Sequence, residues 1–280
     1  MDRNTVLVTG ATGKTGRRLV PLLVERGATV RAATRPGFDW WDESTYEPAL
    51  TGVEAVYLVN AHLSGEVTDP SEQVRAFLDC AGSVGTRRVV LLSSFGVDQA
   101  PDDDGLRRTE LLVEKSGVPA TILRPAAFMQ NFSERHWSGM AETIRDRGEI
   151  VMPGGTARVG YVSTDDIAEV AAAALTENGH EGRGYTLTGP EALTLAEVAE
   201  HISRALNRHV RYRESDEDAM RERLVAAGAS PAFAAYGAAL YVAAVTGNAM
   251  ATVTDDVSAV TGRPETSFAE YAAGAVSAWR

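Results

Sequence analysis

The chain has 280 residues, 44% of them hydrophobic, and a formal net charge of −11. That is enough apolar material for one large α/β core with an appended lobe, and the acidic balance argues against a nucleic-acid partner, which needs a concentrated positive face. No apolar run is long enough to span a bilayer, and the first apolar stretch stops too soon for a signal peptide. A single cysteine, Cys80, rules out an internal disulfide and fits a reducing cytoplasm.

Thr5 to Thr9 is a short β-branched and aliphatic run that leads into Gly10-Ala11-Thr12-Gly13-Lys14-Thr15-Gly16. Leu19, Leu22 and Leu23 then recur at helical spacing. A buried strand, a glycine-rich turn and a helix form the arrangement that seats a pyrophosphate on a helix N-terminus. Gly10 lets the chain turn out of the strand, Gly13 lets backbone approach the phosphates, and Gly16 lets the helix pack close to the sheet. Ala28 to Arg35 reads as the second strand. A site built for a free ribose would place Asp or Glu at its end, but Thr34 and Arg35 stand there. The guanidinium of Arg35 and the ammonium of Lys14, one of only two lysines, are what a 2′-phosphate needs. The cofactor expected is therefore NADP(H), with NAD(H) left open.

A very short strand is expected from Phe38-Asp39-Trp40, although Pro36 and Gly37 leave no room for a crossover helix before it. Ser44 to Leu50 reads as a short helix, Val53 to Asn60 as a strand, and Pro70 to Val84 as a helix capped by Asp69 or Ser71. Cys80 falls in that helix's apolar pattern with Val74, Phe77, Leu78 and Ala81, and reads as a packing residue. Arg88 to Ser94 is a strand, Leu106 to Lys115 a helix, and Ala120 to Arg124 a strand ended by Pro125. Gly184 to Thr188 reads as a later strand of the same sheet. This alternation predicts an α/β fold with a Rossmann-type, doubly wound parallel sheet. From Thr194 onward the pattern is mainly helical, including the alanine-rich run from Ala232 to Ala251. Residues 1–127 and 150–190 are assigned to the core, and 128–149 and 191–280 to a substrate-binding cap over the sheet's carboxyl edge. No Cys/His cluster marks a metal site.

Several motifs resemble the NmrA-like atypical branch of the short-chain dehydrogenase/reductase superfamily. They are Gly10 to Gly16, Ser93-Ser94, Ser116 to Pro125, Phe128 to Asn131, Asp165-Asp166-Ile167-Ala168 and Thr188-Gly189-Pro190. Phe38-Asp39-Trp40, Thr45 and Pro48-Ala49-Leu50 are similar to a bacterial subgroup that resembles the ergot-alkaloid iminium reductases and the quinone oxidoreductases. The resemblance covers nearly the whole chain and implies roles at the matched positions. Gly10, Gly13, Thr15 and Gly16 would hold the pyrophosphate, with Thr12 and Lys14 near the adenosine phosphate. Asp39 and Trp40 would lie beside adenine, and Asn60 and Ala61 under the ribose. Ser93 and Ser94 would flank the nicotinamide, walled by Pro125 and Phe128.

The tyrosine-dependent branch of the superfamily uses a Tyr-x-x-x-Lys pair to protonate a developing alkoxide. None of the eight tyrosines has lysine four positions on, and Arg107 and Leu111 stand where the pair would fall. Candidate substitutes are Ser94 near the hydride, Arg107 for an anionic product, His136 as a proton donor and Tyr161 as a pocket residue. Three readings follow. The first is a reductase for a small or medium apolar acceptor that needs little acid help, such as an iminium, quinone or conjugated carbonyl. The second is a non-catalytic NADP(H) sensor, and the third a non-redox enzyme for cyclisation, dehydration or epimerisation. The expected setting is a cytoplasmic monomer or homodimer with a small-molecule substrate.

Overall fold

The computed structural model describes residues 4–60, 69–246 and 248–280. The chain divides into two compact units. One comprises Met1–Pro125, Thr164–Leu187 and Ala259–Gly262; the other comprises Ala126–Ser163, Thr188–Ser258 and Arg263–Arg280.

The first unit is built on β1 (Thr5–Thr9), β2 (Thr29–Ala33), β3 (Ala55–Val59), β4 (Arg88–Leu92), β5 (Ala120–Pro125) and β7 (Gly184–Leu187). They form one sheet in the order β2-β1-β3-β4-β5-β7, every neighbouring pair parallel. The connecting helices are α1 (Gly16–Glu25), α2 (Tyr46–Leu50), α3 (Ser71–Ser83), α4 (Gly105–Lys115) and α6 (Thr164–Thr176). This is the doubly wound α/β architecture expected of Rossmann type. Because side chains alternate along a strand, both faces of the sheet are buried. Leu7, Val56, Leu58, Val89 and Leu91 pack with Leu50, Val74, Phe77 and Val113 of α2, α3 and α4. Val6, Val8, Tyr57 and Val90 are equally deep on the other face, where α1 lies against α6.

No strand forms at Phe38-Asp39-Trp40. Phe38 and Trp40 instead join Tyr46 and Phe77 in an aromatic cluster with ring centroids 5.0–6.2 Å apart. The Phe38 N–H bonds the Thr34 carbonyl at 3.1 Å, so the chain turns immediately after β2 and returns through α2 to β3. The N-cap of α3 is Pro70 rather than Asp69 or Ser71, and Asp69, one residue before it, accepts the Ser71 N–H at 3.0 Å.

The second unit contains β6 (Glu149–Met152) and β8 (Arg211–Glu214), a parallel pair that the sequence reading missed. Its helices include α5 (Met140–Arg147), α7 (Leu195–Leu206), α8 (Glu217–Ala226), α9 (Pro231–Thr246) and α11 (Phe268–Gly274), while α10 spans Asp256–Thr261. Residues 150–163, assigned above to the sheet core, belong here. Ile150, Met152, Val159 and Tyr161 are buried with Phe132, Ile202, Phe268 and Trp279 in this unit's own core. The helix start read at Thr194 is a capping box: Thr194 and Glu197 exchange side-chain-to-backbone bonds at 3.2 and 2.8 Å. Among the described residues no helix is long and apolar enough to cross a membrane.

Trp279 is fully buried, and its Nε1 donates to the Phe132 carbonyl at 2.7 Å. Trp279→Ala removes both the packing and the bond, and is expected to cost about 3–5 kcal/mol of stability. Urea unfolding measures this; a loss below about 1 kcal/mol would show that the site collapses around the missing ring.

Candidate cofactor site

β1 leads out of the sheet at Gly10, whose φ of +65° is left-handed backbone that favours glycine. The turn closes with the Gly13 N–H on the Gly10 carbonyl at 2.8 Å. A Cβ on Gly16 would stand 2.3 Å from the Gly10 oxygen and 2.8 Å from Ala11 Cα. Gly16 is therefore required by the turn's own backbone, and not by helix–sheet packing as its position in the sequence suggests. The first turn of α1 carries no acidic residue, so an anion seated there meets the positive end of the helix without a fixed negative charge.

Two buried hydroxyls hold this turn from beneath. Thr9 Oγ1 donates to the Tyr57 carbonyl at 3.0 Å and accepts the Val59 N–H at 2.7 Å, extending the β1–β3 pairing past Val8 and Tyr57. The Tyr57 hydroxyl donates to Thr15 Oγ1 at 3.0 Å, and burial pushes its pKa up, so the proton stays on the ring oxygen. Neither anchor was legible as functional in the sequence, where Thr9 and Tyr57 read only as strand residues.

The other residues expected on the nucleotide side lie in this turn and just past the ends of β2 and β3. Thr12 and Gly13 are exposed and Lys14 is half-buried, its carbonyl accepting from Arg18 at 2.9 Å. Arg35 is exposed just past the end of β2. Asp39 is fixed by its neighbours, its N–H on Thr45 Oγ1 at 3.1 Å and its carboxylate accepting the Trp41 N–H at 3.0 Å. The Trp40 carbonyl accepts from Tyr46 at 2.7 Å, and burial raises the Tyr46 pKa to about 12. Asn60 follows β3, and its buried Oδ1 has no hydrogen-bond partner among the described residues. A buried orphan acceptor at the carboxyl end of a parallel strand is a place for a ligand hydroxyl. With the glycine cradle, it fits a dinucleotide. Ala61 lies outside the described residues.

At the ends of β4 and β5, Ser93 Oγ donates to Glu110 Oε1 at 2.6 Å. Ser94 is exposed, and Pro125 is buried with its carbonyl accepting the Phe95 N–H at 3.0 Å. Arg107 Nη1 is paired with Glu110 and Glu114 at 2.9 and 3.1 Å. Glu110 and Arg124 were not singled out in the sequence.

Phe128, His136 and Tyr161 belong to the second unit. Phe128 is half-buried and forms an isolated bridge with Val162. His136 Nδ1 pairs with Ser138 Oγ at 2.8 Å, and its ring lies 4.8 Å from that of Trp137. Tyr161 is buried in this unit's core: its ring meets Phe132 at 5.3 Å and Phe268 at 5.9 Å. Burial holds its pKa well above the usual value for a phenol. Burial likewise raises the Cys80 thiol, consistent with packing rather than nucleophilic work. The same unit has a cavity of about 890 Å³ lined in part by Gly154, Thr156, Glu214, Asp216, Glu217 and Val242. No lysine or arginine lines it, so it suits a neutral or cationic organic molecule better than a phosphate. Among the described residues no group of three His, Cys, Asp or Glu side chains is placed to hold a metal ion.

The glycine geometry gives a direct comparison. Gly16→Ala is expected to cost about 1–3 kcal/mol through overpacking and to lower the melting temperature more than Gly13→Ala. The added Cβ of the latter would stand 3.1 Å from the same Gly10 oxygen. Equal shifts in a thermal melt would contradict this account of the turn.

The NmrA-like family matches residues 37–254. The chain is 35% identical to a (4-alkanoyl-5-oxo-2,5-dihydrofuran-3-yl)methyl phosphate reductase from Streptomyces griseus, with 96% of each chain covered. It is 31% identical to an agroclavine dehydrogenase from Claviceps fusiformis, with 98% of each covered. The solved structure of an NADPH-dependent quinone oxidoreductase from Escherichia coli, complexed with NADPH, superimposes with a TM-score of 0.78 at 24% identity. That match covers 96% of this chain and 99% of the other. A family match over most of the sequence, with full-length relatives above 30% identity, means that the chain belongs to the NmrA-like family.

Proposed function

We propose that this protein is an NAD(P)H-dependent reductase, with NADP(H) as its cofactor, that reduces a small or medium apolar organic acceptor. The observation that carries the reading is the Gly10–Gly16 turn. It stands between β1 and α1 where the sheet changes its direction of winding, pinned from below by Thr9 and Tyr57. When bound, the reduced nicotinamide supplies hydride. The protein's part is to hold and orient. Gly10, Gly13, Thr15 and Gly16 seat the pyrophosphate, and Thr12, Lys14 and Arg35 meet the 2′-phosphate. Asp39 and Trp40 bound the adenine side, and Asn60 offers its amide oxygen, unpartnered among the described residues, to a ribose hydroxyl. Ser93, Ser94 and Pro125 bound the nicotinamide.

The named relatives span acceptors as different as a conjugated oxo-dihydrofuran and a quinone, which supports a reductase without naming one substrate. The missing Tyr-x-x-x-Lys pair, the commitment of Arg107 and the burial of Tyr161 favour an acceptor whose reduction needs no strong protein acid. Iminiums, quinones and conjugated carbonyls meet that condition to different degrees. The lone, half-buried Cys80 supports a reducing, cytoplasmic setting. The exposed Tyr236 and Leu240 on α9 leave both monomer and homodimer open.

The test pairs binding with turnover. Calorimetric titration with NADPH and NADH, followed by loss of reduced-nicotinamide absorbance against cyclic iminiums, quinones and enones, should give tight NADPH binding and turnover on at least one class. Binding without turnover would favour a sensor, and no binding a non-redox pocket. Arg35→Ala should weaken NADPH by about tenfold or more, the worth of a charge-assisted bond, and leave NADH unchanged. Equal losses for both would refute the 2′-phosphate role.

A further inference from the structure

Ser93 follows the carboxyl end of β4, and its hydroxyl lies 2.6 Å from a carboxylate oxygen of Glu110. Glu110 is fully buried on α4, and its two oxygens also receive Arg124 Nε at 2.9 Å, Arg124 Nη2 at 2.8 Å and Arg107 Nη1 at 2.9 Å. The sequence makes room for this arrangement at Gly184, where any Cβ would stand 2.4 Å from Arg124 Nη1. With three guanidinium N–H groups from Arg107 and Arg124 donating to its two oxygens, the Glu110 side chain acts as an acceptor on both of them. The direction of the serine bond is thereby fixed. Ser93 spends its single proton on Glu110, and its oxygen offers other groups nothing but lone pairs.

The strand order indicates what meets that oxygen. With Arg35 at the end of β2 taking the 2′-phosphate and the pyrophosphate over the turn after β1, the nicotinamide half extends the other way, across the ends of β3 and β4. The nicotinamide carboxamide carries one acceptor, its C=O, and one donor, its NH₂. We propose that Ser93 Oγ accepts a hydrogen bond from the carboxamide NH₂, and that Glu110 is the positioning residue that holds Ser93 in this polarity. The inference rests on the cofactor reading above. It assigns Ser93 to orienting the ring and removes it from the candidate proton donors.

The experiment compares the calorimetric affinities of NADP⁺ and its 3-acetylpyridine analogue, in which a methyl group replaces the amide NH₂. Wild-type protein, Ser93→Ala and Glu110→Gln are titrated with both. Wild type should prefer NADP⁺ by about tenfold, the worth of one hydrogen bond. Ser93→Ala should lose that preference because NADP⁺ weakens while the analogue does not. Glu110→Gln keeps the hydroxyl but lets an amide NH₂ face it and turn its proton outward, so it too should lose the preference. A wild type without preference, or a Ser93→Ala protein that weakens both ligands equally, overturns the acceptor role. Full preference retained in Glu110→Gln overturns the role of Glu110. Ser93→Ala leaves Glu110 paired with its arginines and carries the test alone if the buried Gln prevents folding. Failure of wild type to bind either dinucleotide would remove the cofactor reading itself, and this inference with it.

Discussion

Parallel strands joined by right-handed crossovers force the first unit to wind in opposite directions on the two sides of β1, because β2 lies on one side of it and β3 on the other. From this follow the distribution of helices and the place of the site. α1 runs over one face on its way to β2, while α3 and α4 cover the opposite face on their way to β4 and β5. The connections leave the carboxyl ends of β1 and β3 in opposite directions, so a crevice remains between them. A Cβ on Gly10 would already be 3.4 Å from Val59 Cβ. At so close an approach, the crevice is shaped by backbone and hydroxyls more than by large side chains.

That closeness explains why polar groups do the positioning. Thr9 and Tyr57 are buried among the aliphatic side chains of β1 and β3, and each of their hydroxyls is spent on holding β3 or the turn to its neighbour. An unpaired buried hydroxyl would destabilise the fold, whereas these bonds convert burial into rigidity where a charged ligand must find preformed donors. The same logic operates on a larger scale at Glu110. Its buried carboxylate is paired with both Arg107 and Arg124. Once stabilised, it fixes the polarity of the serine at the end of β4.

Strands β1 to β5, β7 and the glycine turn were legible because buried parallel strands read as short β-branched runs and because turn glycines punctuate them. Phe38-Asp39-Trp40 misled for the same reason: two aromatics resemble a strand, but their partners are Tyr46 and Phe77, which no local pattern announces. β6 and β8 are four residues each, too short for alternation to stand out, and β8 is rich in arginine and glutamate. The cofactor-side residues could be listed from the sequence, but the network that orders them could not. Glu110 meets Arg124 and Ser93 across separations of 14 and 17 residues, and a glutamate on an arginine-rich helix reads as solvated until the tertiary fold buries it. Tyr161 was ambiguous for the converse reason, since an aromatic residue in an irregular segment lines a pocket or fills a core equally well.

The chemistry open to the site narrows once each candidate acid is followed to its partner. Arg107 is held by two carboxylates, Ser93 has spent its proton on Glu110, and Tyr161 is buried with a raised pKa. His136 is engaged with Ser138, and Ser94 is an exposed hydroxyl, far too weak an acid to protonate a product unaided. On the proposed reading, a ketone, whose reduction generates a strongly basic alkoxide, would need a proton donor that neither Ser93 nor a Tyr-x-x-x-Lys pair supplies. An iminium ion becomes a neutral amine on accepting hydride and needs no proton at all. A quinone gives a phenolate stable enough to wait for one from water. The rate enhancement such acceptors require then comes mainly from holding the acceptor carbon and the nicotinamide ring at reacting distance. On the proposed reading, that demand falls on the turn, on the hydroxyls beneath it and on the serine bonded to Glu110.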